Sequence, residues 1–471
     1  MKTITWPSLL SSVTTLLRTR LATTIGCIVI AAFSHPAAAM PGDLDLSFGG
    51  TGVVTTDLSS GNDFCYGVAI QNDGRIVIAG QAFQGSGTGT LLDFAVVRYE
   101  SNGTLDTSFN GTGKVTTDFG RYYTDDGGYS VAVQSDGKIV VAGATQINRD
   151  SYGFAIVRYD TNGNLDTSFN GSGIVTTSFG TLGTAAGGKS MALQSDGKIV
   201  VAGYLALNNF VNLASFEVVR YNSNGSLDTS FNGTGTLSVS IAGNWNSAYG
   251  VVLQTDGKIV VAGECQIAGK YKFGLFRCNA NGTLDTSFNG TGMVTTAIGN
   301  GDDRAYSVAL QADGKIVVAG SSYNGSNDDF ALVRYNADGS LDTSFNGSGK
   351  VTTDFGGGYE AGRSLVIQSD GRIVVTGGDL TALARYNTDG SLDTSFNGTG
   401  KVKTGNGSSF AGGYGVALQT DGQIVVVGTA SGSGTAFAVA RYEGVPEPSS
   451  VILMISSGWM FLLQRRRVSA R

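Results

Sequence analysis

The segment Leu-Asp-x-Ser-Phe occurs seven times, beginning at Leu44, Leu105, Leu165, Leu227, Leu284, Leu341 and Leu392, at intervals of 51 to 62 residues. Such a period makes each copy one supersecondary unit that must bury its apolar surface against the next. The copies alternate with a Gln-x-Asp-Gly segment, first at Gln71-Asn72-Asp73-Gly74 and last at Gln419-Thr420-Asp421-Gly422. An apolar run that usually ends in Arg-Tyr follows each, from Arg98-Tyr99 to Arg441-Tyr442.

One central unit shows the local structure. Tyr306 to Gln311 alternates, stops at Ala312-Asp313-Gly314, and Lys315 to Gly320 resumes as an apolar run, which is a hairpin signal. Phe330 to Tyr335 reads as a third strand, Asn336-Ala337-Asp338-Gly339 as a turn, and Lys350 to Phe355 as a fourth. We name these strands a to d. Ile316-Val317-Val318-Ala319 is apolar at consecutive positions, so both faces of its sheet must be covered by other protein. Stacked four-stranded blades provide that cover, and a period near sixty fits a propeller better than a solenoid.

The ends of the repeat region close the count. It opens on a lone d segment, Leu44 to Asp57, and finishes on a lone a-b-c set, Tyr414 to Tyr442. The expectation is an all-β, seven-bladed propeller over residues 40–444, with the N-terminal segment donating the outer strand of the last blade. All five prolines, Pro7, Pro36, Pro41, Pro446 and Pro448, lie outside Gly42 to Val445, so none interrupts a ladder.

Residues 1–39 carry Lys2, Arg18 and Arg20, an apolar stretch from Ile25 to Phe33, and the ending Pro36-Ala37-Ala38-Ala39. They read as a signal peptide cut after Ala39, the stretch being shorter than the roughly 20 residues of a membrane span. In residues 445–471, Pro446-Glu447-Pro448 precedes an apolar run from Val451 to Leu463 and the cluster Arg465-Arg466-Arg467. This tail resembles the PEP-CTERM sorting signal. The resemblance implies a transient C-terminal membrane anchor and an exosortase-type transpeptidase as processing partner. It also implies display at the cell surface or in the extracellular matrix of a Gram-negative-type bacterium. The repeats, over about Asp43 to Tyr442, resemble the delta-60 repeat family, departing at Cys278 for tyrosine, at Gln423 for a basic residue and in the short sixth repeat. That resemblance implies a fold and no activity.

Seven of the 31 basic residues lie in the two terminal signals, so the processed ring is more acidic than the formal charge of −6. Nucleic acid is therefore a disfavoured partner. Outside the leader only Cys65, Cys265 and Cys278 remain, and they read as free, buried thiols. The single histidine, His35, falls in the signal peptide, which excludes Ser-His-Asp, Cys-His and histidine-zinc chemistry from the mature protein. Carboxylate acid–base chemistry and calcium on oxygen ligands stay open. Asp160-Thr161-Asn162-Gly163-Asn164-Leu165-Asp166 partly imitates a calcium loop, although Asn-Gly is what a tight turn requires anyway.

Arginine ends strand c in every unit, at Arg98, Arg158, Arg220, Arg277, Arg334, Arg385 and Arg441. Aspartate follows leucine in every Leu-Asp segment, including Asp106, Asp166, Asp228, Asp285, Asp342 and Asp393. Seven copies point to a structural charge pair within each blade. Binding residues are expected where the repeats disagree, on the face carrying the b-c and d-a loops. The candidates there are Tyr122, Tyr123, Asp125, Asp126, Trp245, Asp302, Asp303, Tyr323, Asp328, Asp329 and Tyr359. The expected function is non-catalytic binding of extracellular polysaccharide or protein by a monomeric ring with no obligatory cofactor. A carboxylate-based glycoside hydrolase or polysaccharide lyase is the alternative, and a calcium-stabilised structural repeat protein a third reading.

Overall fold

A computed structural model describes residues 39–84, 92–120, 126–148, 150–180, 183–207, 214–379, 381–405, 410–432 and 434–444. These form seven four-stranded antiparallel sheets, each running a-b-c-d outward from the centre. The inner strands are Phe64–Ile70, Gly127–Val133, Ala185–Leu193, Asn246–Leu253, Asp303–Leu310, Gly362–Ile367 and Ala411–Leu418, in blades 1 to 7. Each packs on the inner strand of the next blade, and the seventh packs on the first. The ring closes as expected. Val53–Thr56 pairs with Thr435–Tyr442, Val53 opposite Ala440 and Thr56 opposite Phe437, and completes blade 7.

The apolar strand-b runs explain the stacking. In Ile76–Phe83, Ile76 and Ile78 join Val425, Val427 and Phe437 of blade 7, whereas Val77 and Ala79 join Ile139, Val141 and Ala155 of blade 2. Seven such clusters fill the seven spaces between blades.

The repeated polar residues tie each blade internally and to its neighbour. Arg98 Nε donates to Asp106 Oδ2 at 2.6 Å, its guanidinium lies 4.6 Å from the Phe109 ring centre, and its Nη1 donates to the Thr161 carbonyl of blade 2 at 2.8 Å. The Arg–Asp pair recurs in all seven blades, with Arg441 taking Asp45 in the last. Burial works against ionisation of Asp166, but hydrogen bonds from Ser168 and Lys138 and the charge of Arg158 hold its carboxyl down at about 2. The strand-c tyrosine reaches back: Tyr99 hydroxyl donates to Thr56 of blade 7 at 2.6 Å, and Tyr335 to Thr296 of blade 4 at 2.7 Å. Cys278 stands at that position in blade 4, and the residue it meets in blade 3 is Val239 rather than threonine.

The d-a loops share an internal anchor. Asp63 Oδ2 accepts the Leu58 amide at 2.8 Å, Asp303 Oδ2 the Ile298 amide at 2.9 Å, and Glu360 Oε2 the Phe355 amide at 2.6 Å. Cys65, Cys265 and Cys278 are free and buried.

Candidate functional site

Every inner strand carries a β-bulge at the same place, and the residues left unpaired there are Tyr66, Tyr129, Lys189, Tyr249, Tyr306, Arg363 and Tyr414, blade 7 having a second irregularity at Gly412. Strand b is the cause. The residue preceding each bulge faces a glycine, such as Gly80, Gly143 or Gly320, where an added Cβ would lie 2.0, 1.8 or 1.9 Å from the inner-strand carbonyl oxygen. Only glycine permits that approach, and the bulge then turns one extra side chain out of the ladder.

The seven bulged side chains meet in the central channel, where they line a cavity of about 570 Å³ with Ser130, Ser190, Ser307 and Ser364. Tyr66 stands 5.2 Å from Tyr129 and 5.6 Å from Tyr414 between ring centres, and Tyr249 stands 5.4 Å from Tyr306. Burial raises the hydroxyl pKa of Tyr66, Tyr249 and Tyr306, so these groups stay neutral donors. Lys189 and Arg363 interrupt the tyrosines on opposite sides, in blades 3 and 6. The Lys189 ammonium lies 3.6 Å from the centre of the Tyr129 ring, and desolvation pushes it down to about 8. Arg363 lies 5.0 Å from the Tyr414 ring, and its buried Nε has no hydrogen-bond partner. The lining contains no aspartate or glutamate. Among the described residues, an acidic protein thus keeps two cations without counter-ions at its centre.

Arg304 provides the contrast. It stacks 4.4 Å over Tyr271 and pairs with Glu264 at 3.5 Å. Burial pushes Glu264 up to about 7, with Arg304 acting in the opposite direction.

The family model described as "Domain of unknown function (DUF5122) beta-propeller" matches residues 71–109, 134–169, 194–231, 254–288, 311–345, 368–396 and 419–444. The chain belongs to this family. Among solved structures, this DUF5122 propeller is similar to an unknown-function protein from Dyadobacter fermentans, at 13% identity and TM-score 0.43 over 83% of this chain and 98% of that one. It is also similar to Sqt1 from Chaetomium thermophilum, at 12% identity and TM-score 0.45 over 81% and 96%. A third is a gluconolactonase from Xanthomonas campestris, at 14% identity and TM-score 0.36 over 87% and 99%. No curated protein matches the chain.

The DUF5122 ring gathers only some of the loop residues named from the sequence. Asp302, Tyr323, Asp328 and Asp329 line one hollow of about 890 Å³ with Lys270 and Arg304 on the variable-loop face. Asp303 lies beneath it, wholly buried, accepting from Ser322 and Lys272 as well as from its own loop. Asp126 is wholly buried at the corresponding place in blade 2. Tyr359 reaches the channel, its hydroxyl 3.0 Å from that of Tyr306 and its ring 5.7 Å from Arg363. Trp245 packs against Ala185, Ala206 and Ala214. Tyr122, Tyr123, Asp125, Pro446, Glu447 and Pro448 lie outside the described residues, and Ala39 is exposed at their edge.

Sequence reasoning missed the channel ring because it looked for variation in loops. The signal was present in two parts. Glycine ends the apolar core of strand b in every unit, which marks a bulge, and the bulged position is tyrosine in five units but lysine and arginine in two.

Proposed function

We propose that this protein is an exported, surface-displayed, non-catalytic propeller that binds acidic saccharide in its central channel. The two uncompensated cations, Lys189 and Arg363, carry the reading. A carboxylate is the natural partner of a guanidinium without a counter-ion. Five tyrosines supply ring faces for a sugar and hydroxyls for its oxygens. The volume, about 570 Å³, suits one or two sugar rings, and Tyr359 extends the site toward the variable loops. The tail motif Pro446-Glu447-Pro448 and the leader ending at Ala39 support export and exosortase-type sorting to the outer surface or matrix.

Titration with uronate-containing and matched neutral oligosaccharides tests this. The acidic set is expected to bind, and Arg363→Gln and Lys189→Met are each expected to weaken binding at least tenfold. Equal binding of neutral oligosaccharides, or no change in either variant, would overturn it.

A second reading rests on the depressed Lys189 amine. A lysine near neutrality can act as a general base: with a uronate spanning the channel and its carboxylate on Arg363, the Lys189 amine would take the proton α to that carboxylate while the glycosidic C–O bond at the β carbon breaks and the leaving oxygen takes a proton from a channel tyrosine hydroxyl. Ultraviolet absorbance of an unsaturated product, lost in Lys189→Arg while binding persists, would favour this polysaccharide-lyase reading over simple binding.

A further inference from the structure

Two places beneath the variable-loop face repeat one arrangement of carboxylates. Asp93 on strand c of blade 1, Asp118 just past its strand d, and Asp126 at the entry to blade 2 each bring an oxygen within 4.8 Å of the others. Asp329, Asp354 and Glu360 occupy the same three positions between blades 5 and 6, within the same distance. Carboxylates that close repel unless a proton or a cation lies between them.

The buried member of each set has an oxygen that accepts no hydrogen bond. Asp126 is 0% exposed; its Oδ1 accepts the Thr145 hydroxyl at 2.6 Å, and its Oδ2 has no hydrogen-bond partner. Glu360 is 4% exposed; its Oε2 takes the Phe355 amide, and its Oε1 has no hydrogen bond, with the Lys403 ammonium 3.8 Å away. A buried carboxylate oxygen without a partner is costly.

Blade 4 shows what fits there. Lys272 stands at the strand position of Asp93 and Asp329, and its ammonium contacts Asp303 Oδ2 at 3.0 Å and the carbonyl oxygens of Gly301 and Gly299 at 3.0 and 3.5 Å. The protein's own cation is held by a carboxylate and loop carbonyls where the two extra carboxylates are missing: Lys272 replaces one and Ala297 the other.

We propose that each triad binds a calcium ion, which takes the place Lys272 fills in blade 4. All three donors are hard oxygens, which suit calcium, with its flexible shell of 6–8 oxygen ligands, better than magnesium. The sites differ from the turn at Asp160, whose carboxylate accepts the Asn162 and Asn164 amides at 2.9 Å. They are also independent of the channel.

Isothermal titration of the chelator-treated full chain with calcium chloride tests the proposal. Two equivalents are expected, falling to one in Asp118→Asn and to one in Asp354→Asn, with magnesium chloride binding more weakly. Calcium should raise the melting temperature of the parent by several degrees. Asp93→Lys, which copies blade 4, should lose one equivalent and melt no lower than the parent in chelator. Absence of calcium binding, or unchanged stoichiometry in the Asn variants, would overturn the proposal. A lower melting temperature for Asp93→Lys in chelator would overturn the equivalence with Lys272.

Discussion

At the scale of single residues, the ring separates charges that are satisfied from charges that are not. Asp166 and its counterparts sit against arginines and serines, so the stability they contribute is complete above the unfolded carboxyl value of about 3.9 and is lost as the pH falls through their lowered values. Glu217 behaves in the opposite way. It is wholly buried in blade 3, accepts only the Ser238 hydroxyl, and burial raises its carboxyl to about 7. A carboxyl whose folded pKa is raised costs nothing below about 4.3 and costs progressively more until the pH passes 7, by about 4 kcal/mol at most. Glu217→Gln is therefore expected to raise the melting temperature at pH 8 and to give a much smaller gain at pH 4. Thermal melts at the two pH values check this, and a gain independent of pH would refute it. The sequence shows Glu217 inside an apolar strand but not that its neighbours leave one oxygen without a partner, because that depends on strand d across the sheet. The Arg–Asp pairs were legible for the opposite reason, since six copies eight residues apart announce a contact within one turn of chain, and the seventh, Arg441 with Asp45, follows from closure.

At the scale of elements, the blades communicate through strand c and the preceding strand d. Six tyrosine–threonine hydrogen bonds join neighbours, among them Tyr159 with Thr117 and Tyr386 with Thr353, at 2.6 and 2.8 Å. Between blades 3 and 4 both partners change together, to Val239 and Cys278, and both lie in one apolar cluster. A lone hydroxyl there would be buried without a partner, at a cost of about 1–3 kcal/mol. Val239→Thr and Cys278→Tyr should each destabilise the ring. The double variant should recover part of the loss, with a coupling of about 1 kcal/mol. Denaturant unfolding of the four proteins measures it, and strict additivity would show that the two positions do not communicate. Strands and their order could be read from hydrophobic pattern and turn residues because those are local. The bulge could not be placed as readily: Gly263 looks like an ordinary strand end until the Ser247 carbonyl is seen 2.0 Å from where its Cβ would be. That single extra residue decides which side chains enter the channel, and so the most informative site was the least visible one.

At the scale of the whole molecule, closure depends on a segment far from its blade in sequence. Residues Val53–Thr56 give blade 7 its outer strand, Leu44 bridges to Tyr442, and Asp45 takes the charge of Arg441. Pro41 extends the seal into blade 6, its carbonyl accepting the Asn397 amide at 2.8 Å, as the Asn162 carbonyl accepts the Asn110 amide between blades 1 and 2. The junction is not a perfect copy of the others. Arg385 Nη1 is buried without a hydrogen-bond partner, where the equivalent atom of Arg158 meets the Ser223 carbonyl at 2.6 Å. This seam thus lacks the arginine–carbonyl contact, as the junction of blades 3 and 4 lacks the tyrosine–threonine bond, and the donated segment packs Leu44 and Val53 against the cluster that fills it. Deleting residues 40–58 removes that strand, strips Arg441 of its carboxylate and exposes the edge of Thr435–Tyr442, a ready template for pairing with another chain. The expected result is a marked fall in unfolding midpoint together with concentration-dependent association, seen by denaturant titration and size-exclusion chromatography. Deleting Gly325 and Ser326, the exposed tip of a b-c turn on a complete blade, should change neither by a comparable amount. If the two deletions proved equally harmless, the ring would have to be held by the inter-blade clusters alone, and the donated strand would be an ornament rather than the clasp.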